Sequence, residues 1–560
     1  MADLTDRLGE TAARNTLAVN PLFGIRAGDL GAAAQALAGA VVVQPAKAAR
    51  HWAAYAKEIG RVAVGMSTLE VDPKDKRFSD PAWQSNPLHR RLLQAHAATA
   101  AGLARYIDAS SLDARDKARA HLAASIYADA IAPSNTWLNP TALKRAIDTG
   151  GQSLVKGLKN LVHDLRHNHG LPSSVDKSGF QIGRNLCLSP GSVVFRNEVL
   201  ELIQYQPTVA KVYSRPLVMC PPQVNKFYAV DLSPEKSLVR FVMSQGLQMF
   251  VVSWRNPTAA QRDWNMSTYV QALDEAVDVA RQISRSPDVN LWGACSGGMT
   301  AAAYLGWLAA TGQKKVASVV SPVCMLDTSR ASDSTMGLLA SERSLRALEA
   351  AVRRKGVVDG CDLARVFAWL RPNDLIWNYW VNNYLLGNNP PSFDILYWNS
   401  DTTRLPAAFH ADLLNVFRDS PFTKPGKLEV LGQPIDMARV KVDAYVVAGT
   451  TDHITPWKAC FETARIYGPR SKFILANTGH VQSMLNPPGA AKSCFAAANV
   501  GDHDPDSWAA SAVRHEGSWW PHWMAWMRVR SGQRVAAPAK LGSRKHRAGV
   551  AAPGEYVMAP

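Results

Sequence analysis

Read as a pattern of apolar and polar positions, the chain changes texture near residue 190. Before it, apolar residues recur at three- and four-residue spacing, as in the Ala-rich stretches 30–43 and 114–131. That spacing predicts a mainly helical N-terminal domain over residues 1–190. From Arg215 onward, short apolar runs take over. Pro216-Leu217-Val218-Met219-Cys220, closed by Pro221-Pro222, reads as a buried strand. A helix over 235–245 follows, then a strand over 248–253. A helix over 267–284 carries Tyr269, Leu273, Ala276, Val277 and Ala280 on one side. Next come a strand over 289–292, a helix over 298–311 and a strand over 316–320. Such alternation predicts a parallel sheet covered on both faces. It stops over 325–440, a Trp-, Tyr-, Asn- and Pro-rich stretch that reads as an insertion. Strands over 442–448 and 472–476 then return, with a helix near 458–467 between them.

Composition sharpens this in three places. Hydrophobic residues make up 47% of the 560 positions, which excludes a mostly disordered chain. The formal charge of +16 is partly local. Arg528, Arg530, Arg534, Lys540, Arg544, Lys545 and Arg547 share a stretch free of acids, just after Trp519, Trp520, Trp523 and Trp526. The plainer reading of 528–560 is a solvated basic tail; the other is a surface for an anionic partner. No P-loop, zinc-finger or RRM pattern is present, so nucleic acid is not expected. The start of the chain lacks the basic and apolar runs of a secretory signal, and no apolar stretch is long enough to span a bilayer. The 7 cysteines are far apart and include no Cys-x-x-Cys pair. A reduced, cytoplasmic protein is the expectation.

Two small clusters could suggest metal. His163-Asp164-Leu165-Arg166-His167 puts two His four apart on a helix, but Asp164 stands where a metalloprotease has Glu. Asp502-His503-Asp504-Pro505-Asp506 imitates the start of a calcium loop but has Ser507 where Gly is needed. They read as a helix end and a surface turn, and no metal is expected.

The chemistry-bearing pattern is Gly293-Ala294-Cys295-Ser296-Gly297, at the junction of a strand and a helix. This is a nucleophile elbow with Cys in place of Ser. Its glycines allow the strained turn, and the helix N-terminus faces the nucleophile. The fold this implies is α/β: an α/β-hydrolase fold catalytic domain with an inserted cap, preceded by a mainly helical N-terminal domain. In that fold the acid and then the His follow the nucleophile in chain order, after later strands. Asp452 follows strand 442–448 and His480 follows strand 472–476. His453 competes for the base, and Asp327 or Asp401 for the carboxylate. The Ser296 N–H is the first expected oxyanion donor, and the Val224 N–H, in the loop after the first strand of the series, is the second. A Cys nucleophile favours acyl transfer between thioesters, because the acyl group stays activated. A Cys-dependent hydrolase, either thioesterase or polyester depolymerase, is the alternative.

Several stretches resemble the polyhydroxyalkanoate synthases. They include Val193-Val194-Phe195-Arg196-Asn197-Glu198, Asn225-Lys226-Phe227-Tyr228, Ser253-Trp254-Arg255-Asn256-Pro257 and the elbow itself. Further along lie Asn373-Asp374-Leu375-Ile376-Trp377, Asp401-Thr402-Thr403-Arg404-Leu405-Pro406, Asp452-His453-Ile454-Thr455-Pro456 and Gly554-Glu555-Tyr556-Val557. The resemblance covers nearly the whole chain and is strongest to class II, which polymerises medium-chain units. It implies an acyltransferase that loads (R)-3-hydroxyacyl groups from coenzyme A onto Cys295 and extends a polyester. His480 would be the base and Asp452 its partner. No cofactor is implied, since coenzyme A enters with the substrate and leaves as product. It also implies a homodimer at polyester granules. The expected organisation is an N-terminal domain (1–190, dimer and granule association), a catalytic domain (191–527) with its cap at about 325–440, and the tail (528–560).

Overall fold

The computed structural model describes residues 44–72, 75–168, 170–330, 342–360, 373–490 and 492–560. The helix expected over 30–43, His169 and Cys361 lie outside these residues. The N-terminal region is helical throughout its long elements: α1 (Pro45–Ala63), α2 (Pro87–Ala109), α3 (Ala114–Ala130), α4 (Pro140–Asp148) and α5 (Gln152–His167). Side-chain oxygens of Asn86, Asp113 and Asn139 accept first-turn N–H groups of α2, α3 and α4, so the sequence writes these starts locally.

Ten strands then form one sheet. They are β1 (Gly191–Arg196), β2 (Leu200–Tyr205), β4 (Leu217–Cys220), β5 (Met249–Trp254), β6 (Val289–Gly293), β7 (Val316–Pro322), β8 (Asp443–Gly449), β9 (Lys472–Ala476), β10 (Cys494–Asn499) and β11 (Val513–Glu516). A short β3 (Lys211–Tyr213) lies apart and pairs with β12 (Arg534–Ala536). The spatial order is β1-β2-β5-β4-β6-β7-β8-β9-β10-β11. From β5 to β9 all neighbours are parallel. The two strands at each end are antiparallel. The sheet is therefore mixed, where the alternation alone predicts a parallel one. The central strands were legible because burial on both faces makes them continuous apolar runs. The end strands were not: β10 reads Cys-Phe-Ala-Ala-Ala-Asn and owes its form to pairing with β9.

Helices α6 (Leu238–Ser244), α7 (Met266–Ser284), α8 (Cys295–Thr311), α12 (Trp457–Ile466) and α15 (Trp520–Arg528) help cover the sheet; between them in the chain come cap helices α9 (Glu342–Lys355), α10 (Asp394–Ser400) and α11 (Ala407–Asp419), then α13 (His480–Met484) and α14 (Pro505–Ser511). α7 is capped by Asn265 and buries Tyr269, Leu273, Ala276, Val277 and Ala280, the face its spacing predicted. α8 is buried nearly all round and runs directly under the nucleophile. The described residues of 325–440 form no part of the main sheet; two cap segments, Asn373–Trp377 and Val381–Leu385, are π-helical.

The N-terminal helices grip this cap. Arg77 Nη1 donates to Asp129 Oδ1 and to Asn373 Oδ1, each at 2.9 Å. Asn160 Nδ2 donates to the carbonyls of Asn383 (3.0 Å) and Asn388 (2.9 Å). Asp164 is buried and accepts from Ser173 and Tyr384. It is thus a buried cap contact within a helix end whose His163, Leu165, Arg166 and His167 are exposed as expected; His163 and His167 lie against each other. No group of three metal-ligating side chains occurs among the described residues.

The basic tail is not solvated as a whole. β12 pairs with β3, Val193 N donates to Val550 O (2.9 Å), and Gly549 N donates to Val193 O (2.8 Å), so the tail covers the β1 edge. The fully buried Glu201 carboxylate accepts from Glu555 N (2.9 Å) and Tyr556 N (3.0 Å). Trp519, Trp520 and Trp523 are core residues and offer no aromatic docking face. No helix among the described residues is long and apolar enough to cross a membrane. The described cysteines are all free thiols.

Candidate active site

The end of β6 and the start of α8 make a tight turn with Cys295 at its tip. Cys295 has φ +49°, left-handed backbone that a non-glycine residue holds only when its surroundings enforce it. The enforcement is close packing. A Cβ on Gly297 would lie 2.4 Å from the carbonyl oxygens of both Cys220 and Pro221, and one on Gly293 would lie 2.8 Å from Ala301 Cβ. α8 therefore begins at Cys295, three residues before the sequence-based estimate, because the strained turn is its first residue. Ser296 is its second residue, so its N–H is among the first-turn donors without an intrahelical acceptor.

Asp452 and His480 come to this point from the ends of β8 and β9. His480 Nδ1 lies 2.7 Å from Asp452 Oδ2, and both side chains are essentially inaccessible. Asp452 is fixed by three more donors: Ile454 N and Thr455 N to Oδ1, both at 2.9 Å, and Thr455 Oγ1 to Oδ2 at 2.7 Å. Burial works against charge on both groups. The pair overcomes it: Asp452 is held below the ordinary carboxylate range by the His480 charge and these hydrogen bonds. Burial alone would lower the His480 imidazole, but the Asp452 charge and hydrogen bond, with Cys295 adding to them, push it up to about 10. His480 Nε2 is buried and makes no hydrogen bond, and Cys295 is among the groups that raise the imidazole. Nδ1 is thus taken by the carboxylate and Nε2 is left to the thiol.

The competing groups are committed elsewhere. Asp327 Oδ1 accepts from Ser329 N (2.8 Å), and Asp401 pairs with Lys226. His453 stays in the turn beside Asp452, whose carboxylate faces His480. Asp504 caps α14 by accepting from Asp506 N and Ser507 N, so the calcium-like stretch is a turn and helix start. Thr455, which locks the acid and touches His480 Nδ1 at 3.2 Å, was not singled out from the sequence. Its signal was present as Asp-x-x-Thr, a side-chain turn pattern.

Cys295 and His480 line an apolar pocket walled by Pro222, Val224, Phe227, Val230, Trp398 and Leu485 among others. Trp398 comes from the cap and Val224 from the loop after β4. The sheet order, the elbow and the Cys–His–Asp set define an α/β-hydrolase-fold protein with a cysteine at the nucleophile position.

Comparison with known proteins agrees and goes further. The family model described as "Poly-beta-hydroxybutyrate polymerase (PhaC) N-terminus" matches residues 74–242, and the alpha/beta hydrolase fold model matches 216–487. Poly(3-hydroxyalkanoate) polymerase 1 of Ectopseudomonas oleovorans is 49% identical over 552 residues, 99% of this chain and 98% of that one. Polymerase 2 of the same organism is 48% identical over 96% of each chain. The polymerase subunit PhaC of Cupriavidus necator is 37% identical over 94% of this chain and 90% of its own. The chain belongs to the poly(3-hydroxyalkanoate) polymerase family.

Proposed function

We propose that the protein polymerises (R)-3-hydroxyacyl groups from coenzyme A thioesters, with Cys295 as the covalent carrier. The single observation that carries this is the placement of Cys295, in a strained turn at a helix N-terminus, against a His480–Asp452 pair and an apolar pocket. The Cys295 thiol gives its proton to His480 Nε2, and the sulfur attacks the thioester carbonyl. Charge gathers on the carbonyl oxygen, where the N–H groups of Ser296 and Val224 receive it. The carbon–sulfur bond to coenzyme A breaks, and the departing sulfur takes the proton from His480. The 3-hydroxyl of another acyl unit then gives its proton to His480 and attacks the acyl-cysteine. An ester forms and the Cys295 sulfur is released. Asp452 holds the imidazole in the correct tautomer throughout.

Class II, medium-chain specificity is supported by the apolar pocket and by the greater identity to the two Ectopseudomonas oleovorans polymerases. The same reading makes the protein a cytoplasmic homodimer at the surface of polyester granules. Residues 1–190 would serve dimer and granule association, 191–527 would carry catalysis, and 528–560 would close the β1 edge. The reaction needs no metal or separate cofactor. The test is incubation with short- and medium-chain 3-hydroxyacyl-CoA. Free coenzyme A together with insoluble polyester is expected, fastest with medium chains. Free hydroxy acid without polymer would make the protein a hydrolase.

A further inference from the structure

The loop after β4 carries Val224, and two parts of the molecule hold it. The catalytic domain holds its first half: Gln223 N donates to Ser296 Oγ (3.1 Å), Gln223 Nε2 to Thr300 Oγ1 (3.0 Å), and Trp254 Nε1 to Pro221 O (2.8 Å). The cap holds the rest. Thr403 Oγ1 accepts from Asn225 N and donates to Gln223 O, both at 2.8 Å, so it brackets Val224. Trp398 Nε1 donates to Lys226 O (2.7 Å). The Asp401 carboxylate takes Lys226 Nζ at 2.8 Å on one oxygen and Tyr228 OH at 3.0 Å on the other. Asn225 itself sits at φ +67°, left-handed backbone that Asn enters more readily than most residues and that the Thr403 hydrogen bond to its N–H fixes here.

These contacts differ from ordinary cap packing because those of Thr403 and Trp398 end on the backbone of the loop at the nucleophile. Lys226 is 9% exposed and lines the same pocket as Cys295 and His480. A buried ammonium that loses its carboxylate is strongly disfavoured, so the Lys226–Asp401 pair holds cap and loop in one arrangement. We propose that Asp401 and Thr403 are positioning residues that couple cap closure to assembly of the oxyanion site. With the cap seated, Asn225 is held left-handed and Val224 N–H stands at the pocket. With the cap displaced, the loop loses Trp398, Asp401 and Thr403 together, and Asn225 relaxes. Acyl transfer is then confined to the state in which water is excluded, a form of induced fit built into the loop. The inference rests on the proposed role of Val224 as oxyanion donor.

The test uses the full chain and the variants Thr403→Val, Thr403→Ser and Asp401→Asn. Coenzyme A release gives kcat and KM; iodoacetamide labelling of Cys295 reports the thiol and His480 independently. Loss of one oxyanion donor costs a hundredfold or more, so Thr403→Val and Asp401→Asn are expected to lose about ten- to hundredfold in kcat. KM should change little, Cys295 labelling should be undiminished, and Thr403→Ser should recover most of the rate. Should Asp401→Asn fail to fold, the Thr403 pair decides. Unchanged kcat in Thr403→Val overturns the coupling, and so does a loss matched by an equal loss of Cys295 labelling. A wild-type chain that releases no coenzyme A would instead overturn the proposed function.

Discussion

Replacing Asp452 by Asn tests the core of the proposed chemistry. The Asp452 carboxylate, with Cys295 adding to it, raises the His480 imidazole from 6.5 to about 10 despite burial. At about 1.4 kcal/mol per pH unit, the site favours the charged ring by about 5 kcal/mol. Asn keeps the shape, and its carbonyl oxygen can still accept from Ile454 N and Thr455 N. Its NH2 group then faces His480 Nδ1, which must become an acceptor, so Nε2 carries the proton and can no longer take one from Cys295. Burial, now unopposed, pushes the imidazole downward. Both effects act on the step in which the imidazolium forms, and about 5 kcal/mol there is roughly three to four orders of magnitude in rate. The assay is coenzyme A release from a hydroxyacyl-CoA. A variant that keeps its rate within tenfold would refute the assignment of Asp452.

Other outcomes follow from the same geometry. Cys295→Ala should cut coenzyme A release at least about a thousandfold with little change in thermal stability, measured by turnover and melting. Stability should depend on pH through the buried pair. His480 is raised, so its contribution is complete below about 6.5 and is lost as pH climbs through about 10; Asp452 is lowered from 3.8, so its contribution holds above that value and is lost as pH falls through the folded value. Melting temperature against pH, compared with Asp452→Asn, reads both limbs. Gly297→Ala should cost about 2 kcal/mol or more in denaturant unfolding, because its Cβ would meet two backbone oxygens at 2.4 Å. Glu201→Leu should cost about 2–5 kcal/mol and expose the tail to proteolysis, because it leaves the N–H groups of Glu555 and Tyr556 without their acceptor.

What could be read from the sequence was what local chemistry writes locally. The Gly-x-Cys-x-Gly spacing states a turn that only small neighbours permit, and Gly297 against Cys220 O and Pro221 O shows why. Asp452 and His480 were found because each directly follows a buried apolar strand, and such strands end where α/β sheets collect their sites. What escaped depends on partners distant in the chain. Glu201 looks like a surface residue until residues 555 and 556 fold back on it. β10 looks too Ala-rich for a strand until β9 supplies its partner. Lys226 and Asp401 are 175 positions apart, and no local pattern announces their pairing.

The pairing bears on how a hydrolase-like scaffold could avoid hydrolysis. Water and a 3-hydroxyl are similar nucleophiles, so selectivity cannot come from the proposed His480 base, which would serve either. It must come from which of them is present when the acyl-cysteine is activated. The pocket wall of Phe227, Val230, Trp398 and Leu485 offers water few partners, and Trp398 belongs to the cap. If the oxyanion loop is complete only while Trp398, Asp401 and Thr403 hold it, the activated state and the dry state are the same state. A cap that merely covered the site would slow water; a cap that also builds the site leaves an entering water without the donors it needs for attack. On that argument, a variant with a loosened cap should release less coenzyme A without a compensating rise in free hydroxy acid.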